Sequence, residues 1–221
     1  MIWLLGGYMW LYVHRPFEIY PSLGALQIER GYMFLMLTAW LVYPNKGFSF
    51  SRMHLAIGMF LVALLGSWAS SPFANKPGCW ETVDNTLKVL VFYAVMVTTV
   101  RDEKGLRLLV LLFLAVTGVY MSHSFYEFMC GRYQHRMGVN RMMGVDVTYA
   151  DPNAFASTLL YTLPLLVPFW NEIPRRVPRW LIIAYAGLAA YCIVRTGSRA
   201  GMLGLVLWTL MYIVGAAKNK F

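Results

Sequence analysis

The stretch LRLLVLLFLAVTGVYM, Leu106–Met121, decides the fold class. Sixteen residues pass with one charge, Arg107, and no polar residue recurs at a period of 2 or 3.6. A helix that is apolar all round belongs either in a large core or in hydrocarbon. Seven further runs of the same kind lie around it. They are Met1–Val13, Ile28–Tyr43, Met53–Ala69, Val83–Val100, Pro152–Trp170, Trp180–Val194 and Gly201–Ala217. A spanning helix takes about 20 mainly apolar residues, so the first run is too short to span as it stands. The pattern predicts an all-α polytopic membrane protein of about eight hydrophobic helices, with residues 1–221 as one transmembrane helical domain.

Composition agrees with this reading. The chain is 59% hydrophobic and only 13% charged, with a mean hydropathy of +0.54. A soluble domain carries roughly 25% charged residues. The net charge of +9 sits between the apolar runs, where Lys and Arg set orientation. No basic helix or basic-plus-aromatic groove points to nucleic acid. The histidines at 14, 54, 123 and 135 share no metal spacing, and Cys79, Cys130 and Cys192 form no CxxC motif. No metal and no cofactor is expected.

The connectors fall into two sets. The even ones, Pro44–Arg52, Arg101–Arg107, Asn171–Arg179 and the tail from Lys218, are short and dense in Lys and Arg. They should be cytoplasmic, and the odd ones should face outward. The odd set holds Arg15, Arg30, Lys76, Arg132, Arg136, Arg141, Arg195 and Arg199, together with most of the acids. Its longest member, Ser122–Ala150, carries His123, Glu127, His135 and Asp146. Cys79 and Cys130 both fall in outward loops, where a disulfide would persist if their Cα atoms lie within about 7 Å. Cys192 should be a free thiol within a helix.

Three motifs bear on chemistry. In RTGSRAG, Arg195–Gly201, Gly197 permits a tight turn and Ser198 is placed to cap the next helix. Arg199 then stands in that helix's first turn, where the dipole favours anions and a guanidinium can grip phosphate. The alternative is that Arg195 and Arg199 snorkel to the interface. In RMMGVDVTYADPNAFA, Arg141–Ala156, Asp151 before Pro152 reads as a helix start. Asp151 and Asn153 either cap that helix or also orient a polar ligand. HRPFEIYP, His14–Pro21, contains two prolines that preclude a regular helix. It reads as an interfacial loop or a re-entrant segment. Lys88 lies inside a predicted span, four residues after Asp84, at a spacing that allows an ion pair.

Taken together, these stretches resemble the N-terminal half of the bacterial O-antigen ligase/polymerase family, in particular the O-glycosylation ligases associated with exosortase systems. The resemblance rests on Trp80 with Leu87, Lys88 and Val89, then Arg101, Leu106 and Arg107. It continues through Arg141, Gly144, DPNAFA at Asp151–Ala156, Pro164 and Leu165, and ends on TGSRAG at Thr196–Gly201. It implies a metal-independent transfer of a glycan from undecaprenyl pyrophosphate to an acceptor hydroxyl on a lipid A-core sugar, a glycan or a protein. The place would be the periplasmic side of the inner membrane. By resemblance Arg199 stabilises the pyrophosphate, and Ser198, Arg141, Asp151 and Asn153 are the remaining candidate substrate-binding residues. The family's histidine-bearing periplasmic loop would lie beyond Phe221, so no histidine of this chain inherits the catalytic role. Two other classes stay open on the residues alone: a transporter or channel, and a non-catalytic membrane scaffold.

Overall fold

The computed structural model describes residues 1–24, 26–72, 77–136, 138–146, 150–172 and 179–218. It is mostly helical, as the apolar runs predict. Among the described residues, eight helices have 13 residues or more: α1 (Ile2–His14), α4 (Ile28–Val42), α5 (Arg52–Ser70), α6 (Pro77–Thr99), α7 (Glu103–Met129), α8 (Pro152–Glu172), α9 (Arg179–Arg195) and α10 (Arg199–Lys218). Two four-residue helices, α2 (Pro16–Ile19) and α3 (Pro21–Gly24), follow α1. Each opens on one of the two prolines of the His14–Pro21 stretch, whose fixed φ suits a first helical position. Between α1 and α2, Arg15 takes a left-handed φ of 46° and turns the chain.

Among the described residues two helices, α5 and α7, are long and apolar enough to cross a membrane by length and composition. About eight were expected. The shortfall has two physical causes. At 1.5 Å per residue, α1 and α4 reach only about 20 Å, and α9 and the Arg199–Gly215 stretch of α10 about 26 Å, against a hydrocarbon core of about 30 Å. The helices α6 and α8 are long enough, but polar residues such as Glu81, Asp84, Asn85 and Lys88, or Asn153, Ser157 and Thr158, dilute them.

The chain divides into two compact units. The first is Met1–Leu5 with Tyr32–Leu109. There Trp40 donates to Thr98 Oγ1 at 2.8 Å, tying α4 to α6, and Lys88 pairs with Asp84 at 2.9 Å along α6. Helix α5 packs on α6 but buries none of its own residues.

The second unit, Gly6–Gly31 with Val110–Phe221, holds the candidate site. Its core gathers Tyr120, Met121 and Phe128 of α7, Phe155, Leu159 and Leu163 of α8, and Ala189, Cys192 and Ile193 of α9. Helix α10 approaches α8 through two glycines. A Cβ on Gly201 would lie 2.8 Å from Ala156 Cβ, and one on Gly204 would overlap Leu160. Small residues at such a crossing let the backbones close up.

The connector after α7 departs from expectation. Ser122–Ala150 does not begin as a loop, because α7 runs on to Met129 and carries His123 and Glu127 with it. Phe125 and Phe128 keep an apolar stripe going past the polar Ser122–Ser124, and the helix stops only where Gly131 takes φ 94°. A β-hairpin follows, β1 (Gln134–Arg136) paired antiparallel with β2 (Val139–Arg141), and Arg136 sits opposite Val139.

All three cysteines are free thiols. Cys79 lies in the first turn of α6 and not in a loop, Cys130 is exposed just past α7, and Cys192 is fully buried in α9. Lys76, Arg175, Arg176 and Lys220, four of the charges used to assign orientation, lie outside the described residues.

Candidate functional site

The site is built where the hairpin, the start of α8 and the turn between α9 and α10 meet. That turn is the RTGSRAG motif. Gly197 takes φ 61°, a left-handed conformation that ends α9 without strain, and its amide donates to Val194 O at 3.0 Å. Ser198 caps α10 by accepting the Gly201 amide on Oγ at 3.1 Å, and it is buried. Its own amide donates to Thr196 Oγ1 at 3.1 Å. The serine is therefore engaged at the helix end and is buried there.

Asp151 does the same for α8. Its Oδ2 accepts the amides of Asn153 at 3.1 Å and Ala154 at 3.0 Å. Asp151 therefore caps the helix, and its Oδ1 also accepts from Asn153 Nδ2 at 3.4 Å, while Asn153 Oδ1 accepts from Arg141.

Arg141 joins the three segments. From β2 it donates Nε to Thr196 O at 2.7 Å and Nη2 to Asn153 Oδ1 at 3.1 Å. The next residue repeats the link, with the Met142 amide donating to Arg195 O at 2.9 Å. Arg195 itself is directed away, its guanidinium lying over the Phe128 ring at 4.9 Å. Arg132 donates to Val145 O at 2.5 Å and holds the far end of the segment.

These contacts frame a cleft of about 360 Å³. Its walls carry Arg136 and Arg141 from the hairpin, Asn153 from α8, and Gly197, Arg199 and Ala200 from the turn and the start of α10. Arg199 is exposed at the first position of α10, where unsatisfied amides add positive potential. Among the described residues, three guanidinium groups line the cleft and no carboxylate does. The arrangement suits an anion with several oxygens, since each guanidinium offers a planar fork of donors. Among the described residues no three His, Cys, Asp or Glu side chains gather to hold a metal.

Of the five residues singled out in the sequence, the structure brings Arg141, Asn153 and Arg199 to one cleft, while Ser198 and Asp151 cap the helices that border it. It adds Arg136, which the sequence reading did not single out. The signal was present. A short run on each side of Met137–Gly138 is the spacing of a two-residue hairpin. Pairing Arg136 with Val139 then puts Arg136, Val139 and Arg141 on one face. Comparison with protein-family models, with characterised proteins and with solved structures finds no match to this chain.

Proposed function

We propose that this chain is a multi-pass membrane protein that binds the pyrophosphate of a polyprenyl-linked glycan in the Arg136–Arg141–Arg199 cleft, as part of a membrane glycan ligase. The convergence of three arginines with Asn153 at a helix N-terminus carries the reading. A pyrophosphate leaving group gains charge as the glycosidic bond breaks, and preorganised guanidinium groups stabilise that charge without a metal. The acceptor is a hydroxyl of a lipid, a glycan or a protein. The setting is the outer, periplasmic face of a bacterial inner membrane. No described residue is assigned the role of base in that transfer.

Surface chemistry supports the lipid setting. Helix α5 presents Met59 at 66% and Val62 at 72% exposure, and α10 presents Met211 at 75%. Contiguous apolar faces of this kind are unusual on a soluble monomer, whereas against lipid tails they carry no penalty. A carrier whose tail lies in the bilayer would bring its pyrophosphate to helix ends, where Arg199 stands and toward which Arg141 reaches from β2.

The test is native mass spectrometry of the full chain in lipid nanodiscs, offered a polyprenyl pyrophosphate and the polyprenol of equal length. Retention of the pyrophosphate species alone is the expected result. Equal retention of both, or of neither, removes the proposal.

A further inference from the structure

A basic and aromatic surface is confined to the first unit, where residues 43–51 meet residues 98–102. The Gly47 amide donates to Thr98 O at 3.1 Å and ties the two segments together. Gly47 is also the seat of a cation. The Arg101 guanidinium lies so close against it that a Cβ at position 47 would overlap Nη1 and Cζ. One residue earlier, Lys46 donates to Leu41 O at 2.8 Å and places its ammonium 4.8 Å from the centre of the Trp40 ring. Trp40 is fixed in turn by its bond to Thr98 Oγ1. Both cations are exposed, and the connector's own contacts position them. Lys46 spends one of its three donors on Leu41, which leaves two for a ligand.

Arg52 at the start of α5 and Lys104 in the first turn of α7 are exposed as well. The acids of these segments are already engaged. Asp102 accepts the Gly105 amide at 3.3 Å, and Glu103 pairs with Arg107 at 2.7 Å. Among the described residues Arg52, Arg101 and Lys104 make no ion pair. Apolar side chains stand out among the cations: Phe48 is 63% exposed, Phe50 72% and Met53 65%. The two phenylalanine rings rest on His54, with centres 4.9 and 6.4 Å from its own. Arg52 begins α5 and Glu103 begins α7, the two helices long and apolar enough to cross a membrane. On the membrane reading, this end of the unit therefore lies at the level of the lipid headgroups.

We propose that this face binds an anionic phospholipid, its phosphate held by Arg101 and Lys46 and its acyl boundary receiving Phe48 and Phe50. Charge complementarity selects the partner. Arg52 and Lys104 add attraction for a headgroup of net negative charge, whereas a zwitterionic headgroup brings a cation of its own. A soluble acidic partner would answer the cations but leave the rings in water. At a lipid interface the rings enter the apolar boundary while the cations stay with the phosphates. Each basic side chain near an anionic leaflet is worth about fivefold in binding. The inference rests on the membrane reading and not on the arginine cleft.

The test is a lipid titration of the full chain in detergent micelles. An environment-sensitive dye is placed on Asn45→Cys, with Cys79, Cys130 and Cys192 replaced. The probes are phosphatidylglycerol and phosphatidylcholine with the same acyl chains. The dye should report a drier setting at a phosphatidylglycerol concentration lower by about fivefold or more. Arg101→Gln should raise the phosphatidylglycerol concentration needed by about fivefold and leave that of phosphatidylcholine unchanged. Phe50→Ser should raise both concentrations and keep the preference. Equal response to the two lipids, a preference that survives Arg101→Gln, or an unchanged response in Phe50→Ser would each overturn the lipid site and leave the membrane reading in place. No response to either lipid would overturn the site together with that reading.

Discussion

Arg141→Met keeps the apolar stem of the side chain and removes the guanidinium that joins the hairpin to the start of α8 and to the turn before α10. Two hydrogen bonds are lost, the 2.7 Å bond to Thr196 O and the 3.1 Å bond to Asn153 Oδ1. A hydrogen bond from a charged donor contributes about 1.5–3 kcal/mol. The Asn153 contact is exposed and water can replace it, so the whole loss stays near that of the Thr196 bond alone. At 1.4 kcal/mol per tenfold, local opening of the hairpin should become roughly 10–100 times more frequent. Hydrogen exchange reads this directly, because the Met142 amide is tied to Arg195 O and the Ser198 amide to Thr196 Oγ1. Peptides covering residues 139–146 and 196–201 should lose protection by that factor, while a peptide from α5 stays unchanged. Arg141→Lys should recover less than half of the loss, since an ammonium cannot reach both acceptors as the planar fork does. If Arg141→Met leaves the Met142 amide as protected as before, the guanidinium is not what holds the three segments together, and the cleft geometry loses its basis.

Three further outcomes follow from other parts of the fold. Gly201→Ala puts a Cβ 2.8 Å from Ala156 Cβ; overpacking of this kind costs about 1–3 kcal/mol, read as a lower thermal midpoint in detergent. Asp151→Ala removes the cap on α8 at a cost of about 1 kcal/mol but leaves pyrophosphate affinity unaltered, which a binding titration alongside a melting curve separates. For orientation, Asn140→Cys should react with an impermeant maleimide on intact cells while Lys104→Cys should not, in a background with Cys79, Cys130 and Cys192 replaced; the reverse pattern turns the topology over.

The last three helices were legible because their apolar runs carried their own ends. Asp151 before Pro152 gave the start of α8, and Gly197 with Ser198 gave the break between α9 and α10, so the expected and observed limits of these three helices differ by only a residue or two. Legibility failed where the polar residues of one helix face looked like an exit from the bilayer. Ser122, His123 and Ser124 read as the start of a loop, yet Ser124 is buried and accepts the Val145 amide at 3.1 Å, and His123 meets His14. Hydropathy averages over a helix and does not see that its polar stripe is matched by polar partners on other segments. For the same reason residue type drew attention to Arg199 and Arg141, which line one cleft, but did not separate a cap from a cleft-lining side chain. Ser198 and Asp151 have the chemistry for either, and only the positions of the Gly201 and Ala154 amides decide between them.

The most direct test of the cleft is the affinity of the full chain in nanodiscs for a polyprenyl pyrophosphate, with Arg199→Ala and Arg199→Lys beside the unmodified protein. Among the described residues the Arg199 side chain makes no hydrogen bond, and it stands exposed in the cleft lining, so its variants should keep their structure. Loss of one charge-assisted contact of about 1.5–3 kcal/mol predicts binding weaker by roughly 10–100 times for the alanine variant, with the lysine variant in between. Unmodified affinity in Arg199→Ala would contradict the account, and Arg199 would then be a side chain that only reaches for the membrane interface.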